Sequence, residues 1–145
     1  EYRPYFEVHP GISSVQLAAA ISGAPLMNDF CSVSLSDKLT PWSLIEKRIK
    51  GALVGDFVIA LFNPQSIERN WQLKSVIDIC LQSRHGDTPV LIARQVGREN
   101  QTKKFFTLNT IPFKEIDMLS IIIIGNSQTT LVDEIFLTPR GYLQN

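Results

Sequence analysis

Three short runs of uninterrupted apolar residues constrain the fold of this chain more than any other feature. The runs cover residues 57–61, 90–93 and 121–124. Each has the length of a strand, and continuous apolar character is typical of strands that are covered on both faces. The chain is therefore predicted to form a central sheet with helices on both of its sides.

Two segments have the apolar spacing of amphipathic helices. The first follows Thr40 and Pro41, a capping hydroxyl and a proline suited to the first helical position. Its predicted apolar face comprises Trp42, Ile45, Ile49, Ala52 and Leu53. The second follows a cap predicted at Ser66, and its predicted apolar face comprises Leu73, Val76, Ile77, Cys80 and Leu81. Both helices are predicted to cover the sheet.

A third helix is predicted near the start of the chain. Ser13 can act as its N-cap, and Gln16 stands three residues later, as a capping box requires. The helix should end at about Ser22, before Gly23, and its alanines at 18–20 permit close approach by another backbone or by a ligand. Residues 1–9 are predicted to form a strand that leads into this helix.

The remaining strands are predicted at residues 32–36, 103–107 and 134–137. The segment 103–107 is more polar than the central runs and is expected at an edge or in a hairpin. A chain of 145 residues without an internal linker is expected to form one core. The predicted fold is α/β, a three-layer sandwich around a mixed sheet of about five strands.

Composition excludes several kinds of partner and site. The 14 basic and 14 acidic residues cancel without long runs of one sign, so we expect no nucleic-acid and no membrane partner. The longest apolar run is too short to span a bilayer, so a cytoplasmic protein is expected. Cys31 and Cys80 fit no metal or redox spacing and are predicted to be free thiols. His9 and His85 stand apart from other ligand types, so no metal site is expected.

Conventional catalytic motifs are missing from the sequence. It contains no Gly-x-Ser-x-Gly elbow and neither the Walker nor the Rossmann glycine pattern. Asp117, Asp133 and Glu134 have no evident partner for paired-carboxylate chemistry. From these residues alone, the chain is interpreted as a binding scaffold.

Four turn segments rich in small and amide residues are the candidate binding elements. They cover residues 10–14, 61–64, 95–98 and 124–129, each after a predicted strand. If those strands are parallel neighbours, the segments meet at one sheet edge, where a polar, adenosine-like ligand can bind. The most informative of them is the strand-to-helix corner at Asn63. The alternative is that Asn63, Gly97 and Gly125 merely supply turns with positive φ.

Segments along nearly the whole chain resemble the S-adenosylmethionine-dependent tetrapyrrole methylases. They are residues 9–14, 24–30, 35–42, 59–66, 71–73, 96–99, 117–119, 124–129 and 138–142. The Asp-x-Leu-Thr-Pro-Trp, Asn-Pro-x-Ser and Gly-Asn-Ser-Gln-Thr segments are similar to the branch that methylates precorrin-3B at carbon 17. The resemblance is to the carboxyl-terminal domain. It implies that residues 1–145 form that domain and that the amino-terminal domain is absent from this chain, which begins at Glu1 without a methionine.

The resemblance implies S-adenosyl-L-methionine as cofactor and precorrin-3B, a tetrapyrrole, as substrate, with ring contraction, in cobalamin biosynthesis. It also implies a homodimer for the full-length enzyme and no activity for this chain alone. The cofactor-binding residues that it implies are Ser13, Ser14, Leu61, Phe62, Asn63 and Gly97. The chain departs from the family at Phe62, where many members have tyrosine, and at Gln95-Val96, where they have Asn-Ala.

Two other functions remain open from the sequence. The chain could be a non-catalytic interaction or dimerisation module derived from this fold. It could also belong to a sibling methylase of ribosomal RNA or diphthamide, which the Asn-Pro-x-Ser segment disfavours.

Overall fold

The computed structural model describes residues 3–66 and 70–141. Its helices are α1 (Ser14–Ser22), α2 (Trp42–Val54) and α3 (Gln72–Leu81). Its strands are β1 (Gly23–Ala24), β2 (Phe30–Ser34), β3 (Val58–Phe62), β4 (Pro89–Arg94), β5 (Thr102–Thr107), β6 (Ser120–Ile124), β7 (Thr130–Val132) and β8 (Ile135–Leu137). Two short 3-10 turns, Leu108–Thr110 and Phe113–Glu115, connect β5 with β6.

The main sheet has five strands in the order β2-β3-β6-β4-β5, which confirms the predicted mixed sheet. β2 runs parallel to β3, whereas β6 is antiparallel to both of its neighbours, β3 and β4. β3 and β4 therefore point the same way on either side of β6. The three apolar runs occupy these three central positions, and the more polar β5 lies at an edge, as predicted.

Alternating side chains of the central strands supply two separate apolar layers. In β6, Ile122 and Ile124 face α2 and α3, whereas Ile121 and Ile123 face α1. Successive residues of a strand point to opposite faces, so four consecutive isoleucines bury both sides at once. The predicted three-layer α/β sandwich is confirmed.

The alanines of α1 pack against alanines of the sheet. Ala18 and Ala19 belong to the same buried cluster as Ala60 of β3 and Ala93 of β4. Small side chains on both surfaces let the helix lie close to the strands. The composition of this helix is thus explained by packing.

A second sheet, which was not predicted, has three strands in the order β1-β8-β7. Only the strand at 134–137 was predicted, because β1 has two residues and β7 is a short, exposed strand. Gly23 has φ 133°, and a Cβ there would lie 2.6 Å from the carbonyl oxygen of Phe136. Glycine is therefore required for β1 to approach β8.

Both predicted caps of the long helices are wrong. The N-cap of α2 is Pro41 instead of Thr40, and that of α3 is Trp71, five residues after Ser66; neither makes a side-chain cap bond. The indoles of Trp42 and Trp71 pack edge to face with centroids 4.8 Å apart, so the starts of the two helices are in contact. Residues 67–69, which the prediction placed in the helix, lie outside the described residues.

The predicted apolar faces are largely confirmed. Ile45, Ile49, Leu73, Val76, Ile77 and Cys80 are buried in the layer between the helices and the sheet. Leu81 is the exception, with 38% of its surface exposed, because α3 ends at that residue.

The predicted strand at residues 1–9 is wrong for residues 3–9, and residues 1 and 2 lie outside the described part of the chain. No strand forms at 3–9, and Tyr5, Phe6 and Val8 are exposed. A strand requires a partner for its backbone groups, and none of the described residues pairs with this segment.

Candidate functional site

The ends of β3 and β4 form the candidate site. Both strands point to the same edge of the sheet, and each is followed at once by a residue with left-handed backbone, Asn63 with φ 50° and Gln95 with φ 53°. Such a conformation turns the chain sharply away from the sheet. The two corners therefore lie on either side of the first residue of β6, Ser120.

A groove of about 250 Å³ opens between these corners. It is lined by Ser14, Phe62, Asn63, Gln95, Val96, Arg98, Met118, Leu119, Ser120 and Ile121. Three of the four turn segments proposed from the sequence thus meet here, together with the segment that enters β6. That last contribution was missing from the candidate binding segments, because residues 118–121 do not follow a predicted strand and reach this edge only through the antiparallel course of β6.

The fourth segment, residues 124–129, lies at the opposite edge, so the prediction that all four converge is wrong. The reason is the direction of β6, whose carboxyl end points away from the groove. There the Asn126 side-chain amide donates to the Asp56 carbonyl at 3.1 Å. Gly125 does not have positive φ; a Cβ there would lie 2.6 Å from Cβ of Thr129, so close approach requires the glycine.

Ser13 and Ser14 stand at the start of α1 beside the groove. The Ser13 hydroxyl accepts the Gln16 N–H at 3.4 Å, and the Gln16 side-chain oxygen accepts the Ser13 N–H at 3.1 Å, which confirms the predicted capping box. Ser14 lines the groove, whereas Ser13 is committed to the cap.

Leu61 and Phe62 point to opposite faces of β3. Leu61 is fully buried against α2 and α3, so only its backbone can contribute to a site. Phe62 lines the groove on the α1 side. The side-chain amide of Asn63 donates to the hydroxyl of Ser34 at 3.0 Å, which ties the ends of β2 and β3 together.

Gly97 lies in the turn between two lining residues, Val96 and Arg98. It has φ 76°, so the positive φ expected of a turn is confirmed for Gly97, as it is for Asn63. Its N–H donates to the Gln101 side-chain oxygen at 3.0 Å, so this amide is already bonded within the turn. A Cβ added at Gly97 would lie 3.0 Å from Leu17 of α1.

The described lining of the groove contains no side chain suited to proton transfer. Its ten described lining residues include no carboxylate, imidazole or thiol, and Arg98 is the single charged side chain among them. Amides, hydroxyls and apolar side chains form the rest of the surface. Such a lining can bind and orient a ligand.

The two cysteines lie away from the groove and are free, as predicted. Burial raises the pKa of Cys80 to about 11, and burial also raises the pKa of Cys31. Both thiols are therefore neutral at pH 7. Within the described residues, no group of three His, Cys, Asp or Glu side chains could hold a metal ion.

Comparison with known proteins identifies the family. The family model for tetrapyrrole (corrin/porphyrin) methylases matches residues 3–112 of the 145. The chain belongs to the tetrapyrrole methylases. A crystal structure of the methyltransferase CobJ superposes on 90% of this chain, over 54% of its own length, with TM-score 0.85 and 36% identity.

Curated relatives match over nearly the whole chain. The "Probable cobalt-factor III C(17)-methyltransferase" of Salmonella typhimurium is 44% identical over 92% of this chain. The precorrin-3B C(17)-methyltransferase of a Sinorhizobium species is 36% identical over 93%. The chain spans about half the length of these relatives, 55% of each.

A solved cobalt precorrin-4 methyltransferase, CbiF, is 21% identical with TM-score 0.59 and shares the fold. None of the described helices has the length and apolar character needed to cross a membrane.

Proposed function

We propose that residues 1–145 are the carboxyl-terminal domain of a methyltransferase that methylates precorrin-3B, or its cobalt-containing counterpart, at carbon 17 with ring contraction, in cobalamin biosynthesis. The observation that carries this proposal is the 44% and 36% identity to relatives of that name over more than nine-tenths of the chain. The remaining half of the whole protein would supply the amino-terminal domain. A homodimer in the cytoplasm is part of the same proposal.

The groove fits one side of an S-adenosyl-L-methionine site. Phe62 and Val96 offer apolar surface for an adenine ring, and Gln95 offers an amide for its polar edge or the ribose. Asn63, whose side chain bonds Ser34, would shape the corner beside the ligand. Ser14 adds a hydroxyl to this wall. Ser13 would support the wall through its cap of α1, and Leu61 and Gly97 would support it through their backbones. When bound, the cofactor supplies a methyl group on an activated sulfonium.

The groove residues would then orient the cofactor and exclude water from it. Positioning is the main requirement of transfer from an activated donor, so a lining without acid and base groups suits the reaction. At about 250 Å³ the groove lies below the roughly 300–1,000 Å³ of usual small-molecule sites. The small volume is consistent with a site whose other wall comes from the rest of the whole protein.

Methyl transfer tests the proposal. The chain is assayed alone and fused to the amino-terminal part of the Salmonella typhimurium relative, with methyl-labelled cofactor and either precorrin-3B or cobalt-factor III. We expect the fusion to label one of the two tetrapyrroles and the chain alone to label neither. The intact Salmonella protein is the positive control. A folded fusion that binds S-adenosylhomocysteine but labels neither substrate would refute the assigned reaction, and a folded fusion that binds no cofactor would favour the non-catalytic module.

A further inference from the structure

The groove carries one positive charge that the described residues do not neutralise. Arg98 is the single charged residue among the described residues that line it, and its guanidinium makes no ion pair or hydrogen bond with any of the described residues. The other arginine at this edge, Arg94, is paired with Asp117. The two arginines are four residues apart and carry the same charge, but among the described residues only Arg94 has a carboxylate partner.

Asp117 lies on the loop that enters the groove wall, but it is fully occupied. Its Oδ2 accepts two hydrogen bonds from Arg94, at 3.0 and 2.8 Å. Its Oδ1 accepts the Leu119 N–H at 3.0 Å and the Ser120 hydroxyl at 3.1 Å. With both oxygens engaged, this carboxylate is not available to Arg98.

The turn that carries Arg98 is held in place by its own hydrogen bonds. The Arg98 N–H donates to the Gln95 carbonyl at 3.0 Å, and the Gln101 N–H donates to the Arg98 carbonyl at 3.1 Å. The Gly97 N–H donates to the Gln101 side chain. The backbone of Arg98 is therefore fixed at the groove, while its side chain remains free to meet a ligand.

We propose that Arg98 binds a carboxylate of the ligand that occupies the groove. A guanidinium presents paired N–H donors in the geometry of a carboxylate, which makes arginine suited to this contact. This inference rests on the proposed function, which offers two sources of carboxylate. One is the amino-acid end of the cofactor, and the other is an acidic substituent of the tetrapyrrole.

NMR titration of the ¹⁵N-labelled chain distinguishes these sources, because it detects millimolar dissociation constants. The probes are S-adenosylhomocysteine, 5′-methylthioadenosine, which lacks the amino-acid end, and uroporphyrin, a tetrapyrrole with acetate and propionate groups. The proteins are the wild type, Arg98→Gln, Arg98→Lys and Arg48→Gln. Arg48 is exposed on α2, away from the groove, and its substitution makes the same charge change.

We expect Arg98→Gln to lower the affinity for at least one carboxylate probe by roughly fivefold or more, and Arg98→Lys to lower it less. Binding of 5′-methylthioadenosine to Arg98→Gln should be unchanged. Arg48→Gln should bind every probe as the wild type does. A loss confined to S-adenosylhomocysteine identifies the cofactor carboxylate, and a loss confined to uroporphyrin identifies the tetrapyrrole.

The proposal is overturned if Arg98→Gln binds both carboxylate probes as tightly as the wild type does, or if its affinity for 5′-methylthioadenosine falls equally. It is also overturned if no carboxylate probe shifts the amide signals of the groove residues in the wild type. Normal binding of both nucleosides to the groove of Arg98→Gln would remove the role of Arg98 and leave the proposed function intact. Nucleoside shifts confined to the opposite edge, at Asn126 and Thr129, would count against the proposed cofactor wall itself.

Discussion

The guanidinium of Arg94 donates two hydrogen bonds to one carboxylate oxygen of Asp117, from Nε at 3.0 Å and from Nη2 at 2.8 Å. This pair joins the carboxyl end of β4 to the segment that enters β6, beside the groove. The hydrogen bond from Arg94 holds the pKa of Asp117 below its usual value of 3.8.

The pair predicts a pH-dependent contribution to stability. Because the folded-state pKa of Asp117 is lowered, the contribution is present above the unfolded-state value of 3.8 and is lost as the pH falls through the folded-state pKa. Asp117→Asn keeps an oxygen for Leu119 and Ser120 but removes the charge. We expect the variant to melt about 1–4 °C below wild type at pH 6, since the pair is partly exposed. Melting curves should converge as the pH falls below 3.8. A difference that persists in full at pH 2 would contradict this account.

Arg84 is predicted to be a structural cation at the opposite edge. Its side chain is 5% exposed and donates to the carbonyls of Gly125, at 2.6 Å, and Phe57. Burial lowers the pKa of Arg84, which nevertheless remains protonated at neutral pH. Arg84→Ala leaves both carbonyls without this donor and should cost about 2–4 kcal/mol of unfolding free energy. Urea denaturation measures this cost. Exposed Arg48→Ala, the control, should change it by less than about 0.5 kcal/mol.

The apolar face of helix α3 contains a buried residue and an exposed one, and substituting each tests the described burial. Ile77 is 2% exposed, so Ile77→Asp places an unpaired carboxylate in the core and should cost about 4 kcal/mol or more. Leu81, with 38% of its surface exposed, belongs to the same apolar pattern, but Leu81→Asp should cost only about 1 kcal/mol. Circular dichroism melts compare the two. Equal losses would contradict the described end of the helix.

Strands and layers could be predicted from the sequence because their signal is local. Continuous apolar runs mark β3, β4 and β6 wherever they pair, and the capping box of Ser13 and Gln16 needs only its own turn. The start of α3 could not be read in this way. Its N-cap, Trp71, makes no side-chain cap bond and packs against Trp42, which is far away in the sequence, so no local signal marks this start.

The site was only partly predictable for a related reason. The corners at Asn63 and Gln95 follow strands whose shared direction was assumed, and that assumption is correct. The same assumption was wrong for residues 124–129, because the direction of β6 is decided by its pairing partners and has no mark in the sequence. The ion pair of Arg94 and Asp117 was missed because it joins two separate segments.

Gly97 distinguishes a cofactor contact from a turn requirement. In the fused enzyme, Gly97→Val should lower stability, since left-handed backbone costs a side-chain-bearing residue about 1–2 kcal/mol. It should also lower the affinity for the cofactor. Asparagine tolerates positive φ, so Gly97→Asn should recover much of the stability but not the affinity. Melting temperature and calorimetric affinity are measured on each preparation. Gly125→Ala, at the opposite edge, should lower stability alone. If the folded fraction of both Gly97 variants binds cofactor normally, Gly97 serves only the turn.

The central claim, that this chain forms one wall of a cofactor cleft, is tested most directly by calorimetric titration of S-adenosylhomocysteine. The titration is carried out on the chain alone and on its fusion with the amino-terminal part of the Salmonella typhimurium relative. We predict a dissociation constant weaker than about 100 μM for the chain alone and one of about 1 μM, equivalent to roughly −8 kcal/mol, for the fusion. A dissociation constant near 1 μM for the chain alone would show that this domain holds a complete site and would contradict the account.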